Sequence, residues 1–392
     1  MALIDLTVGA LCMGLHDHVP HMVYGPRRSL ETRASETDRR DRVLGCLLGG
    51  AVADALGAPL EFRNSKDIVG LFGPRGLRDF VPLHGTLGAI TDDTQLLLFT
   101  AEALLRVRVM SHGYRTYYPP TILRNAMRRW LMTQRHTGPL PDHLDSARGW
   151  LLDIPALWVE RQPDKVTMIA LKRPGLGTPE EAITDSAGAG AMVRCAPAGM
   201  FPQDDPFRLA SEITGITHGN PHALVAGGYM AVIISQLMYG TTIQVAVEAA
   251  ISRGLYIAGQ REPTLTIRDA MERANQVRFA GIDPGWFELE QVGDGKLAHD
   301  ALAVALYCAL CHPEPTQESF EKAVTLAVNH SGNSVVIGAL TGQILGTMHG
   351  MSVIPPRWIE QLELRDVIVA MAEDLATEHV PGPEWKQRYP PL

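Results

Sequence analysis

The 392-residue chain has only five cysteines. They are too few and too scattered for a disulfide framework, so a reducing compartment, the cytoplasm, is the default. Cys308 and Cys311 form a CxxC. No second pair follows at zinc spacing, and buried free thiols in a helical run are expected there. The sequence also has no long basic run, and its formal net charge is −8. That leaves little electrostatic drive toward a phosphate backbone, so nucleic acid is not an expected partner. The small cluster Arg124, Arg128 and Arg129 reads as one solvated helix face. Met1–Leu15 lacks a basic start and is interrupted by Asp5, which argues against a signal peptide. No segment reads as long and apolar enough to cross a membrane, and no membrane partner is expected. Ser/Gly linkers, low-complexity tracts and repeats are missing, so one large domain is expected where length alone would suggest two or three.

Strand signals are sparse as well. Helical signals dominate from Arg42 onward, with apolar and small residues at helix-compatible spacing. They cover Val43–Leu56, Gln95–Leu105, Leu224–Met238, Val245–Leu255, Leu297–Leu310, Glu318–Asn329, Ile337–Met348 and Trp358–Leu375. Pro and Gly punctuate the gaps, as at Gly73–Gly76, Pro119–Pro120 and Pro355–Pro356. The expected fold is all-α and compact, with a single domain over residues 42–380, an N-terminal extension over 1–41 and a short C-terminal tail over 381–392. His16, His18 and His21 lie in the extension without a carboxylate or Cys to fix a geometry, and read as part of a polar arm. Two helices are rich in Gly: one carries Gly45, Gly49, Gly50 and Gly57, the other Gly338, Gly342 and Gly346. Gly costs about 1 kcal/mol relative to Ala inside a helix, so its repeated use points to backbones in close approach or beside a ligand.

The most informative string is Gly88-Ala89-Ile90-Thr91-Asp92-Asp93-Thr94-Gln95, with an apolar helix starting behind it. A Thr or Asp there caps the helix, and acidic groups favour the positive end of its dipole. Two adjacent carboxylates flanked by two hydroxyls exceed what a cap needs. Hard oxygens so grouped suit Mg²⁺, which seeks octahedral oxygen coordination.

Several ordered segments then resemble the ADP-ribosylglycohydrolase family: Asp54-Ala55-Leu56-Gly57-Ala58-Pro59-Leu60-Glu61-Phe62, Gly85 through Leu105, Gly188-Ala189-Gly190 with Arg194, Thr217-His218-Gly219, Gly293-Asp294-Gly295, and Ala327 through Gly342. The resemblance spans about Arg42 to Leu375. It implies a compact all-α fold with a dinuclear Mg²⁺ centre in a cleft that holds ADP-ribose. It also implies cleavage of the glycosidic bond joining ADP-ribose to a protein side chain, often arginine. Carried over by position, Thr91, Asp92 and Asp93 are metal ligands, with Asp92 also catalytic. Glu61 is the acid/base carboxylate, and Gly188, Ala189, Gly190, His218, Ser331 and Gly332 contact substrate.

The last signature of that family reads Gly-Asp-x-Asp-Ser/Thr. Here it is Gly332-Asn333-Ser334-Val335-Val336, where Asn333 offers only a neutral carbonyl as a weak ligand. Two Mg²⁺ ions about 4 Å apart repel by roughly 16 kcal/mol at an effective dielectric of about 20, a repulsion that carboxylates normally offset. With two of them gone, one ion is expected rather than two. Lys296 through Asp300, Asp185 through Ala187 and the order Met192-Val193-Arg194 depart from the family pattern too. Two functions follow: hydrolysis of ADP-ribosylated side chains with weakened metal dependence or activity, or a catalytically inactive protein that binds ADP-ribose or a partner. The placement of residues 1–41 is similar to that of extensions by which some immunity proteins of the family block an ADP-ribosylating toxin.

Overall fold

The computed structural model describes residues 36–111, 119–134, 149–201, 205–377 and 382–390. The polar histidine arm lies outside these residues. Among them are seventeen α-helices and no strand, in agreement with the all-α expectation. Among the described residues, extended pairing is limited to two isolated bridges, Leu83 with Thr86 and Gly188 with Leu297.

The organising contact is between α1 (Glu36–Gly57) and a late helix, α14 (Ser334–His349). They run antiparallel with their glycines face to face. A Cβ on Gly45 would lie 2.1 Å from the Gly346 carbonyl oxygen, one on Gly49 2.5 Å from that of Gly342, and one on Gly57 2.6 Å from that of Ser334. No other residue lets the two backbones come so close. As a result, the end of α1 is brought to the start of α14.

Between them in sequence lie α2 (Ser65–Phe72), α3 (Asp92–Ser111), α4 (Pro119–Thr133), α5 (Lys165–Lys172), α6 (Ala196–Gly199), α7 (Pro206–Gly215), α8 (Pro221–Met238), α9 (Ile243–Gly254), α10 (Arg261–Phe279), α11 (Trp286–Glu290), α12 (Ala298–Cys311) and α13 (Gln317–Val328); α15 (Pro356–Gln361), α16 (Arg365–Ala376) and α17 (Pro383–Arg388) follow. Seven of the eight expected helical stretches each fall on one helix to within a residue at the ends. Periodicity missed α4, α7 and α10. Pro119, read as a break, stands at the first position of α4, and Pro206 at that of α7, where the missing N–H costs nothing, and α10 is too charged to show a strong apolar stripe.

Three expectations need correction. Trp358–Leu375 is not one helix: it breaks between α15 and α16, where Leu364 adopts φ 56°. Arg124, Arg128 and Arg129 are not a solvated face. Arg124 and Arg129 are buried, with Arg124 donating to the Ala170 and Arg173 carbonyls and Arg129 paired to Glu102 at 2.7 Å. Thirdly, two helical stretches, Glu36–Leu60 and Pro221–Met238, do reach the length and apolarity of a membrane span, but they are 94% and 72% buried inside the fold. They are core helices. Cys46, Cys195, Cys308 and Cys311 are buried free thiols, as expected for the CxxC.

Candidate functional site

Asp54 sits near the end of α1, fully buried. Its Oδ2 accepts the Thr91 backbone N–H at 3.1 Å and the Thr94 hydroxyl. This carboxylate therefore ties the end of α1 to the N-terminus of α3, whose dipole favours negative charge. Its Oδ1 has no hydrogen-bond partner among the described residues. Thr91 caps α3 through its hydroxyl, which accepts from the Asp93 N–H at 3.2 Å. Asp92 and Asp93 follow in the first turn, both buried.

Past Gly57 a single 3₁₀ turn, Ala58–Leu60, delivers Glu61. The next residue, Phe62, holds φ 55°, a region that a non-glycine side chain rarely adopts, and its N–H is pinned to the Gly332 carbonyl at 3.0 Å. The carboxylate before it is thus aimed by a bond to the segment leading into α14. A strap over residues 159–164 crosses the start of α3. Asp92 donates its N–H to the Arg161 carbonyl at 3.3 Å, Asp92 Oδ2 accepts from the Asp164 N–H at 3.1 Å, and Gln95 donates to the Val159 carbonyl. Glu363, at the break between α15 and α16, clamps the strap: it pairs with Arg161 at 2.6 Å and accepts from the Ile90 N–H at 3.1 Å.

Five carboxylates thus converge: Asp54, Glu61, Asp92, Asp93 and Asp164. Burial, above all, raises the first four, and mutual repulsion adds to it for Glu61, Asp92 and Asp93. Asp54 is lifted to about 6 and Glu61 to about 7, while Asp92 and Asp93 are held well above the usual carboxylate range. Fully buried Arg194 is the cation whose field reaches Asp92, Asp93 and Asp164.

Of the expected substrate contacts, Gly190 and His218 lie beside Asp164. Gly190 lies against Asp164, where a Cβ would come within 2.9 Å of the carboxylate. Ala189 donates its N–H to the Lys296 carbonyl, and Gly188 faces the His218 ring. His218 Nε2 stands 3.6 Å from Asp164 Oδ2. Burial, with Arg194 nearby, drives this imidazole down to about 4. Gly332 touches the site through its carbonyl, which holds the Phe62 N–H, whereas Ser331 is engaged away from the carboxylates. The Ser331 hydroxyl donates to Glu290 at 2.5 Å and accepts from the Ser65 N–H at 2.7 Å.

At the start of α14, the Asn333 side-chain carbonyl accepts the Val336 N–H at 3.2 Å and so caps the helix. Val335 and Val336 are both buried. Val336 belongs to the continuous apolar core, and the Val335 Cα lies against Gly57 at the end of α1. The donor set is therefore asymmetric. Where the end of α1 meets α3 lie an orphaned buried carboxylate oxygen, Asp54 Oδ1, and the buried carboxylates Asp92 and Asp93, an excess of negative charge of the kind a hard cation would offset. The α14 side brings no charged oxygen. Among the described residues no group of three or more His, Cys, Asp or Glu side chains forms a ready cation cage.

Sequence reading left Asp54 and Arg194 without roles although both lie in matched segments, and it missed Asp164 altogether. Asp164 caps α5, accepting from the Thr167 N–H at 2.7 Å. Nothing in one sequence separates it from any other Asp before a helix.

A family model described as ADP-ribosylglycohydrolase matches residues 35–384. The chain is 25% identical over 346 residues to "ADP-ribosylarginine hydrolase Tri1" of Pseudomonas putida (strain GB-1), covering 86% of this chain and 78% of that protein. It is 25% identical over 338 residues to "ADP-ribosyl-[dinitrogen reductase] glycohydrolase" of Rhodospirillum rubrum, covering 83% and 91%. A solved structure titled "ADP-ribosylglycohydrolase-related protein complex" superposes with a TM-score of 0.59 and 26% identity over 87% of this chain and 98% of that one. The chain belongs to the ADP-ribosylglycohydrolase family.

Proposed function

We propose that this member of the ADP-ribosylglycohydrolase family binds the ADP-ribosyl group of modified proteins in the cleft between α1, α3 and the Gly188–Gly190 turn, and slowly hydrolyses its bond to arginine. The observation that carries this reading is the convergence of Glu61 with Asp54, Asp92, Asp93 and Asp164, a concentration of buried carboxylates greater than the capping by Asp164 and the tie through Asp54 require. Buried like charges cost free energy, and their presence calls for a cationic or polar ligand.

The chemistry required is modest. Water attacks C1 of the ribose and gives up a proton, while the C1–N bond breaks and the departing guanidine nitrogen gains one. Glu61, lifted to about 7, is both acid and base near neutrality, which is where general catalysis is most efficient. Asp92 orients the strap that carries Asp164 through its bond to the Asp164 N–H. Gly188, with no Cβ beside the His218 ring, would let a ligand approach the backbone there, whereas Gly190 makes space for the Asp164 carboxylate. Thr91, Asp92 and Asp93 would hold a single Mg²⁺, which when bound neutralises the carboxylates and polarises ribose hydroxyls. The described cysteines, free and buried, suit a reducing cytoplasm.

A second reading draws support from one feature. With Val335 and Val336 where the family signature supplies oxygens, the cleft suits recognition of ADP-ribose or of a toxin partner without turnover. Residues 1–35 of the arm assigned to such a partner lie outside the described residues, and 36–41 begin α1.

The deciding experiment measures ADP-ribose release from arginine-ADP-ribosylated protein in excess Mg²⁺. It compares wild type, Asp92→Ala, and the triple variant Asn333→Asp, Val335→Asp, Val336→Thr. Slow wild-type release that Asp92→Ala abolishes and the triple variant accelerates is expected. Silence in wild type with release by the triple variant would overturn hydrolysis in favour of binding.

A further inference from the structure

The hydrogen bonds behind His218 form a directed chain. Fully buried Arg194 donates from Nη1 to the Gly190 carbonyl at 2.9 Å and from Nη2 to the Thr217 hydroxyl. A guanidinium can only donate, so Thr217 Oγ1 is an acceptor toward Arg194. Thr217 is fully buried, and among the described residues its hydroxyl has one other neighbour, His218 Nδ1 at 2.8 Å. A buried hydroxyl proton left without an acceptor is costly. The Thr217 proton is therefore directed to His218 Nδ1, and that nitrogen must carry a lone pair.

We infer that Thr217 is a positioning residue that fixes the His218 tautomer, holding its proton on Nε2 as a neutral donor aimed into the cleft. Nε2 faces Asp164 Oδ2 at 3.6 Å, too far for a good hydrogen bond. That oxygen is already engaged by the Thr167 N–H at 2.7 Å. The Nε2–H is thus left for an acceptor oxygen on a ligand lying along Gly188, such as a diphosphate or ribose oxygen. His218 acts there as a donor, not as a base. This ligand role rests on the ADP-ribosyl reading above. The tautomer does not.

The test is nitrogen NMR on protein labelled with ¹⁵N-histidine, with His218→Gln used to assign the resonance. Above its depressed pKa of about 4, wild-type His218 is expected to show a protonated Nε2 and an unprotonated Nδ1. Thr217→Ser, which keeps the hydroxyl, preserves that pattern, and Thr217→Val shifts it toward the other tautomer. A wild-type signal with the proton on Nδ1, or an unchanged tautomer in a folded Thr217→Val protein, overturns the inference. Should Thr217→Val not fold, the wild-type and Thr217→Ser spectra decide by themselves. In parallel, ADP-ribose titrated into each protein should bind about five- to tenfold more weakly to Thr217→Val, roughly the value of one hydrogen bond, with Thr217→Ser close to wild type. Absence of ADP-ribose binding in wild type would count against the ADP-ribosyl reading and leave the NMR result to judge the relay.

Discussion

Replacing Gly342 by alanine puts one methyl group at the centre of the α1–α14 contact. Its Cβ would lie 2.1 Å from the Gly49 carbonyl oxygen, whereas real Cβ atoms essentially never approach within 3.0 Å. The obstacle is backbone, so no side-chain rotation relieves it. The helices would have to part by about an ångström, a gap that forfeits a quarter to a half of the dispersion energy of the surrounding contacts. Overpacking of this kind costs about 1–3 kcal/mol, and backbone against backbone belongs at the upper end or beyond. Helix propensity works the other way, since alanine is favoured over glycine by about 1 kcal/mol. The net expectation is a loss of about 2 kcal/mol. At roughly 2 cal/mol/K of unfolding entropy per residue, a 392-residue chain loses about 2–3 °C in Tm. The control is Gly70→Ala in α2, where a Cβ meets nothing within 4 Å; there the propensity gain stands alone and Tm should rise slightly. Thermal unfolding by far-UV circular dichroism checks both. A Gly342→Ala protein as stable as wild type would refute the close approach, and with it the account of how Glu61 and Asp54 are brought to the start of α14.

Two further expectations concern buried charge. Asp54 is lifted from 3.8 to about 6, so between those values the native chain holds more protons than the unfolded one, and stability falls as pH rises through about 4 to 6. Two units are worth about 3 kcal/mol. In chelator, Asp54→Asn should therefore flatten that decline and leave the protein more stable than wild type at pH 8, as read by denaturant midpoints; a less stable variant would show the carboxylate to be compensated from within the chain. Glu102 pairs with Arg106 at 2.9 Å and Arg129 at 2.7 Å, all three side chains fully buried. Removing its charge in Glu102→Gln leaves two buried guanidiniums without a counter-ion and should cost about 3–5 kcal/mol, measurable as a lowered urea midpoint, against well under 1 kcal/mol if the pair were exposed.

Much of this protein was legible in one dimension. Apolar spacing located the long core helices, because a helix that buries one face must repeat its apolar residues near 3.6. The string Thr91-Asp92-Asp93-Thr94 stood out because it holds more oxygens than a cap uses, and the fold brings Asp54 to it. Glycines at Gly45, Gly49, Gly342 and Gly346 signalled close approach through the very cost of placing them in helices. Local chemistry of that kind is written in neighbouring residues. What the tertiary structure alone decided was pairing across long separations. Asp164 looks like any helix cap until the strap lays it beside Asp92, 72 positions away. Arg124 and Arg129 look solvated until carbonyls and Glu102 surround them. Thr217 has no visible role until Arg194 supplies the donor that orders its proton. Charge and hydrogen-bond direction depend on what lies within a few ångströms, and only the packed chain says what that is.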